Sequence, residues 1–492
     1  MRPAGDHPSE GNMAHYIGID LGTTSITALL LDTHSGDVIV RETIVNDTET
    51  TSAEDRLRGR SEWDLDRMIS KVFQVLRTVS GRMSDDYRLE GIGVTGQQHG
   101  MVLLDDRTQI SGPFIGWQDR RCLEIKTPGA TYLDHMHAQG GDAFSRSEYL
   151  PARGYMGSTL FWLSQTGRLP YQMHASFGPD YLVSRLNGKR PVTDSTNASG
   201  SGLFDVMDGV WNEALIQTLG LPIAILPEVQ MPCTWSGGLT ADAAQLTGLS
   251  TDTPVTVACG DNQASFAGSV SGYEDSVLVN IGTGGQVSVY SQIPIRMEGL
   301  LVRPYLKPGY LLVGAGLTGG RSYGVWEQFI RLVGSQVFGI KEDIDMYNRL
   351  NELAEASSSG GGGIHCDPVF TGSLKDPQRR GTWSGIDDTN LTPGHMTRSL
   401  LEGMAEQFKR MYDTMLSNGV QERTRFIGAG NGVRKNPLLC RMLSQAFGLP
   451  IQIVRHTEEA ALGAALCASV ASGEFSDIEA AGRACNQYDQ VT

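Results

Sequence analysis

At 492 residues the chain is too long to organise around one hydrophobic core, so two large domains are expected. Its 40% hydrophobic and 19% charged content describe an ordinary globular protein, and a net charge of −15 argues against nucleic acid or anionic membrane as partners. Seven Cys with no C-x-x-C pair, and no apolar run near the roughly 20 residues that span a bilayer, point to a cytoplasmic protein in a reducing compartment.

Residues 1–13 read as a flexible tail, polar and Pro/Gly-bearing at the start, without the apolar core of a signal peptide. From Tyr16 to Val40 the pattern is strand, turn, strand. The turn is the end of Gly18-Ile19-Asp20-Leu21-Gly22-Thr23-Thr24-Ser25, a β-branched run that stops abruptly in Gly and Thr. Glycine lets the backbone turn tightly and approach a ligand, and exposed N–H groups with Thr and Ser hydroxyls can hold phosphate oxygens. Ser61-Glu62-Trp63-Asp64 reads as a capped helix start. Leu65, Met68, Ile69, Val72, Phe73 and Leu76 follow at helical spacing, with Gly81 to end the element. Leu89 to Val94 is a buried strand that runs into the loop Thr95-Gly96-Gln97-Gln98-His99-Gly100. Residues 120–250 carry many polar turns and resemble inserted loops around a sugar-sized site. Val255 to Cys259 is another buried strand, delivering Gly260-Asp261-Asn262-Gln263 at its carboxyl end.

The second half starts near Ser271, and Val279-Asn280-Ile281-Gly282-Thr283-Gly284-Gly285 repeats the strand-turn opening. The strand Leu311–Val313 leads into Gly314-Ala315-Gly316, and Ser357 to Gly363 is an exposed, linker-like loop. Thr397 to Leu416 is a long amphipathic helix, and Phe426-Ile427 leads into Gly428-Ala429-Gly430-Asn431-Gly432. The last helix, Glu458 to Val470, is rich enough in Ala and Gly to pack close to a sheet. Two Gly-Thr turns in comparable positions suggest two halves of a duplicated fold, 14–270 and 271–492, that grip one nucleotide from opposite sides.

Competing motifs are weak. No G-x-x-x-x-G-K-[ST] occurs, and Gly428-Ala429-Gly430 lacks the third glycine and the acidic ribose reader of a Rossmann site. His135 and His137 have no companions at zinc-site spacing. Asp261 stands just after a buried strand, at the edge where α/β proteins bind ligands. It can accept a proton from an attacking hydroxyl or help hold a metal, or it can cap a helix; position alone leaves both readings open.

With these residues in view, the chain from about Tyr16 to Ala471 resembles the FGGY carbohydrate kinases of the actin-like ATPase superfamily. The matching parts are Gly18–Ser25 and Gly282–Gly285 as phosphate loops, Gly96–Gly100 as sugar loop, Gly260–Ala264 with the catalytic acid, and Gly428–Asn436 as adenosine loop. Arg380 to Gly385 is similar to a stretch recurrent there. Trp117-Gln118-Asp119-Arg120-Arg121-Cys122 is similar to the W-Q-D-x-R-C run of sedoheptulokinases, as is Gly154-Tyr155 followed by Thr159 to Leu163 to a second segment of theirs. Gly282 to Gly285 follows the general family pattern instead, and Asp261-Asn262 is similar to xylulokinases.

The resemblance implies an α/β, duplicated ribonuclease-H-like fold with two domains around a central cleft. It implies ATP-dependent phosphorylation of a terminal hydroxyl of a ketose, sedoheptulose first and xylulose second. Asp261 would take the hydroxyl proton, and Asp20, with Asp261, would position Mg²⁺. Gly22, Thr23, Thr24, Ser25, Gly282 and Thr283 would hold the phosphates; Gly319, Gly320, Gly430, Asn431 and Asn436 would contact the nucleotide. Gln98, His99, Trp117, Asp119, Arg120, Tyr155 and Asn262 would join Asp261 at the sugar. Gln98-His99 replaces the Arg-Glu pair of glycerol kinases, which argues against glycerol. A small sugar and ATP are the expected partners, with the chain a monomer or homodimer. The rival, an actin-like ATPase that is not a kinase, has no need of Gly96–Gly100 or Trp117–Cys122.

Overall fold

β-Branched runs followed by glycine turns build two sheets that repeat one topology. The computed structural model describes residues 14–490 except 85, 148–149, 341–343, 371 and 373–377; the tail expected at 1–13 lies outside the described residues. The first sheet has seven strands: β1 (Ala14–Leu21), β2 (Ser25–Asp32), β3 (Asp37–Val45), β4 (Arg88–Gly96), β5 (Trp235–Gly238), β6 (Pro254–Thr256) and β7 (Cys259–Gly260). Its order is β5-β6-β4-β1-β2-β3, with β7 paired to β4. The second also has seven: β8 (Ser276–Ile281), β9 (Gly284–Ser291), β10 (Leu300–Pro304), β11 (Tyr310–Thr318), β12 (Arg425–Ala429), β13 (Ile451–Val454) and β14 (Tyr488–Gln490), in the order β10-β11-β9-β8-β12-β13-β14.

The repeat holds for six strands of each sheet. In the first sheet β1 runs antiparallel to β2, β2 to β3, and parallel to β4, which is parallel to β6, itself antiparallel to β5. In the second, β8, β9, β11, β12, β13 and β14 take the same neighbours in the same directions. This is the duplicated ribonuclease-H-like pattern.

Contacts divide the chain into two compact units. The first holds the described residues up to Ser271 together with Arg303–Pro308 and Glu458–Asn486; the second holds Gly272–Val302, Gly309–Thr457 and the end of the chain from Gln487. A single cut after residue 270 therefore places two segments in the wrong half, because both pack against elements distant in sequence.

In the first unit the helix Leu65–Ser80 buries Met68, Ile69, Val72 and Leu76 on the sheet. Its cap is Asp64, which accepts from Arg67 N at 2.9 Å, and not Ser61 as the motif suggests; Glu62–Trp63 is a short strand paired with Phe114–Ile115. In the second unit the helix Pro393–Ser417 buries Leu400, Leu401, Met404 and Phe408. Ser358 to Gly360 are exposed, as expected of the linker-like loop, whereas Gly361 is buried in a short 3₁₀ turn. All seven cysteines are buried free thiols. Among the described residues no helix is long and apolar enough to cross a membrane.

The helix Glu459–Ala471 lies on β1, β4 and the helix Asp261–Ala267 almost backbone to backbone. A Cβ on Gly18 would lie 1.8 Å from Ala461 O, and one on Gly93 would lie 1.7 Å from Ala464 O. On the helix itself, a Cβ on Gly463 would lie 1.9 Å from Ala264 O. Replacing Gly93 or Gly463 by Ala should therefore destabilise the first unit by about 1–3 kcal/mol or more through overpacking. Thermal unfolding checks this against Gly282→Ala, where a Cβ meets nothing within 4 Å and the midpoint should hold.

Candidate active site

In the first unit the expected site residues gather at the carboxyl ends of β1, β4 and β7. The β1–β2 turn is held on both sides: Asn46 Nδ2 donates to Gly22 O at 3.0 Å, Asn46 N to Thr24 O at 2.9 Å, and Gln97 N to Leu21 O at 3.1 Å. Gly22 is required sterically, since a Cβ there would lie 2.6 Å from Ser25 O. Thr24 is exposed, and Thr23 and Ser25 are half-buried. Thr23 Oγ1 donates to Gln97 Oε1 at 3.3 Å and accepts from Trp117 Nε1 at 3.0 Å, which joins the turn to the half-exposed indole expected at the sugar.

The sugar loop and the acid loop share one buried lattice. Gln98 Nε2 donates to Thr196 O at 2.9 Å and lies 3.2 Å from Gln263 Oε1, while Gln98 Oε1 accepts from Arg303 Nη1 at 3.1 Å. His99 adopts the left-handed backbone (φ 74), places Nδ1 2.7 Å from Gly200 O, and stacks on Tyr155 with centroids 4.2 Å apart. Gly154 packs on the Trp117 backbone. Gln98, His99, Trp117, Tyr155 and Asp261 are thus brought to one place.

Asp261 is the first residue of the helix Asp261–Ala267, whose cap is Gly260, so the helix-cap reading fails. Burial pushes its carboxyl up to about 6, against the pull of Arg303 and of the backbone N–H groups at the helix start. Asn262 follows it in the first turn, half-buried. Asp20, at the end of β1, is pushed up to about 8 by burial and then by Asp261 and Glu458, and its Oδ1 is buried without a protein partner. Two neighbouring carboxylates that resist ionising together fit a divalent cation. Among the described residues no group of three or more acidic, His or Cys side chains could hold a metal. Mg²⁺ takes one or two carboxylates and completes its shell with water and phosphate.

Two of the expected sugar readers are placed differently. Asp119 is 1% exposed and turned inward: Oδ1 accepts from Arg121 N and Nε at 2.9 and 2.8 Å, and Oδ2 from Ser61 N and Arg121 Nη2, both at 2.9 Å. Its oxygens are consumed by the protein, so it shapes the loop and does not read a hydroxyl. Arg120 points out to solvent, its backbone N bonded to Gly59 O at 2.7 Å.

In the second unit Gly282, Thr283 and Gly284 are exposed at the end of β8, and a Cβ at Gly282 or Gly284 meets nothing within 4 Å. Gly320 N donates to Gly282 O at 2.9 Å and Arg321 N to Thr283 O at 3.0 Å, which seats the start of the helix Gly320–Phe338 on this loop. A Cβ on Gly319 would lie 2.4 Å from Gly284 O. Gly430 (φ 85) bends against Ile281 O, and exposed Asn431 opens the next helical turn. Asn436 does not join them. It is 5% exposed, caps the helix Pro437–Phe447 by accepting from Leu439 N at 3.0 Å, and donates to Asn351 Oδ1 at 3.2 Å.

Sequence reasoning missed Arg303, Asp194 and Thr196. A lone arginine in the apolar strand Leu300–Pro304 was the available signal for the first, and the cap-like run Asp194-Ser195-Thr196-Asn197 for the others. Thr196 Oγ1 donates to Asp194 Oδ1 and Oδ2 at 2.7 and 2.8 Å and accepts from Gly260 N at 2.8 Å, one residue before Asp261. Thr196→Val leaves Gly260 N buried without an acceptor and should lower kcat about 10- to 100-fold through displacement of Asp261. Thr196→Ser, which keeps the hydroxyl, should restore it; steady-state kinetics on the pair checks this.

The comparisons agree with this geometry. Residues 15–268 match the N-terminal domain, and residues 277–472 the C-terminal domain, of the FGGY family of carbohydrate kinases. A sedoheptulokinase of Mus musculus is 27% identical over 92% of this chain and 96% of its own. A glycerol kinase of Trichlorobacter lovleyi is 28% identical over 94% and 91%. The crystal structure of a xylulose kinase from Rhodospirillum rubrum superimposes with a TM-score of 0.85 at 24% identity, covering 97% of this chain and 94% of that one. The chain belongs to the FGGY family of carbohydrate kinases and is an ATP-dependent phosphotransferase acting on a sugar hydroxyl.

Proposed function

We propose that the acceptor is a terminal hydroxyl of a ketose, sedoheptulose, with xylulose as the runner-up. The observation that carries the reading is the half-buried Asp261 carboxyl, shifted to about 6 beside Arg303, which also holds Gln98 of the sugar loop. A carboxylate so placed can accept the proton of an attacking hydroxyl near neutral pH. Trp117 offers a half-exposed apolar wall, and His99 and Tyr155 offer hydrogen-bonding edges for a polyhydroxylated chain, while Gln98, 3% exposed with both amide atoms engaged by the protein, fixes the loop that carries His99. Gln98-His99 stands in place of the Arg-Glu pair that suits glycerol, and the W-Q-D-x-R-C run favours sedoheptulose over xylulose.

Phosphoryl transfer depends on positioning and charge neutralisation more than on covalent chemistry. Gly22 to Ser25 supply backbone N–H groups and hydroxyls for the polyphosphate. Gly282, Thr283, Gly319, Gly320, Gly430 and Asn431 supply nucleotide contacts. Asp20 and Asp261 would hold Mg²⁺, which when bound neutralises charge on the phosphoryl oxygens. Asp261 removes the hydroxyl proton, and Asp20 leaves Oδ1 without a protein partner, available to the metal.

A coupled ATP-consumption assay across sedoheptulose, xylulose, ribulose, glycerol and gluconate tests the sugar, and the highest kcat/KM should fall on sedoheptulose. A preference for xylulose would promote the runner-up. In the same assay Asp261→Asn should lower turnover by about 10² to 10⁴ with the fold retained. Near-wild-type turnover would remove Asp261 from the mechanism.

A further inference from the structure

A cavity of about 500 Å³ opens in the first unit, and four arginines line it: Arg58, Arg60, Arg121 and Arg168. Trp162 organises them. The guanidiniums of Arg60 and Arg168 stack on its ring at 4.9 and 5.0 Å, with Arg121 at 5.4 Å. A guanidinium laid on an aromatic face keeps its N–H edges available for oxygen acceptors.

The carboxylates in the lining leave part of this positive charge unanswered. Glu62 pairs with Arg121 at 2.7 Å; Glu124 pairs with Arg60 and also accepts from Trp162 Nε1 at 2.9 Å. Asp55 accepts from the Ser52 hydroxyl at 2.7 Å. Arg60 Nη1 remains buried with no acceptor. Arg168 pairs with no carboxylate among the described residues, and Arg58 pairs with the exposed Glu54, outside the cavity. A buried charged donor without an acceptor is costly, and an oxyanion is the group that removes the cost.

We propose that this cavity is a second ligand site, distinct from the phosphoryl-transfer centre, that binds a phosphate group, either free or carried by a phosphorylated small molecule. The edges of Arg58 and Arg168 are its donors, with Trp162 as the wall behind them. The site is linked to the Trp117–Cys122 run by one ion pair: Arg121 lines the cavity and grips Asp119, which in turn fixes Ser61 N.

Isothermal titration of the full chain with inorganic phosphate, ribose 5-phosphate and ribose tests the site. The comparison is wild type against Arg58→Gln/Arg168→Gln, both exposed positions whose exchange should leave the melting temperature unchanged. Wild type should bind both phosphate compounds and not ribose, and the double variant should lose that binding or weaken it by about tenfold or more. Tighter binding of ribose 5-phosphate than of phosphate assigns a phosphorylated metabolite; equal binding assigns the free ion. Identical affinity and stoichiometry in wild type and variant would place the anion elsewhere and overturn the proposal, as would no binding by wild type.

Discussion

Backbone-to-backbone packing of the helix Glu459–Ala471 is the constraint on which the first unit depends. Gly18 on β1, Gly93 on β4, and Gly463 against Ala264 let the helix sit closer than any side chain would allow. The strand ends therefore lie side by side, each releasing a polar loop at the same edge: Asp20 to Ser25, Gln97 to His99, and Gly260 to Gln263. The same helix is capped by Glu458, which accepts from Thr27 Oγ1 at 3.5 Å and pairs with Arg41 at 3.8 Å, and whose charge helps push Asp20 up. Packing and electrostatics are thus set by one element.

The chemistry follows from which charges that edge leaves unbalanced. Asp20 and Asp261 are two carboxyls shifted upward where water is scarce, and Arg303 is the buried cation that draws Asp261 back toward ionisation. Asp119 shows the opposite arrangement a short way off. With Arg121 and two backbone N–H groups on its oxygens, it forms a structural ion pair that holds the Trp117–Cys122 run to Ser61 and offers no lone pair to a substrate. Residue type alone did not separate the two kinds of acid; the number of protein donors on each oxygen does.

Much of this was legible in the sequence, and the failures share a cause. Strand-turn patterns found the turns Gly18–Ser25 and Gly282–Gly285, and their repetition foretold a duplicated topology that six strands of each sheet share. Local patterns could not say that Glu458–Asn486 and Arg303–Pro308 pack into the first unit, since that depends on contacts hundreds of residues apart. Asn436 reads as a ligand contact in a Gly/Asn-rich loop and is a helix cap, because Asn before Pro437 serves either purpose. In the Trp117–Cys122 run Trp117, Gln118 and Arg120 are exposed, whereas Asp119, Arg121 and Cys122 are buried. Asp194 and Thr196 read only as a helix cap, because the contact that matters, Thr196 on Gly260 N, reaches a loop distant in sequence.

Arg303 ties Gln98 to Asp261, the proposed catalytic residue, and steady-state kinetics of Arg303→Met with an equilibrium titration of ATP tests that tie most directly. The account predicts that kcat/KM for the sugar falls by about two orders of magnitude while the ATP dissociation constant holds. Full sugar turnover in this variant, or a loss confined to ATP affinity, would contradict it.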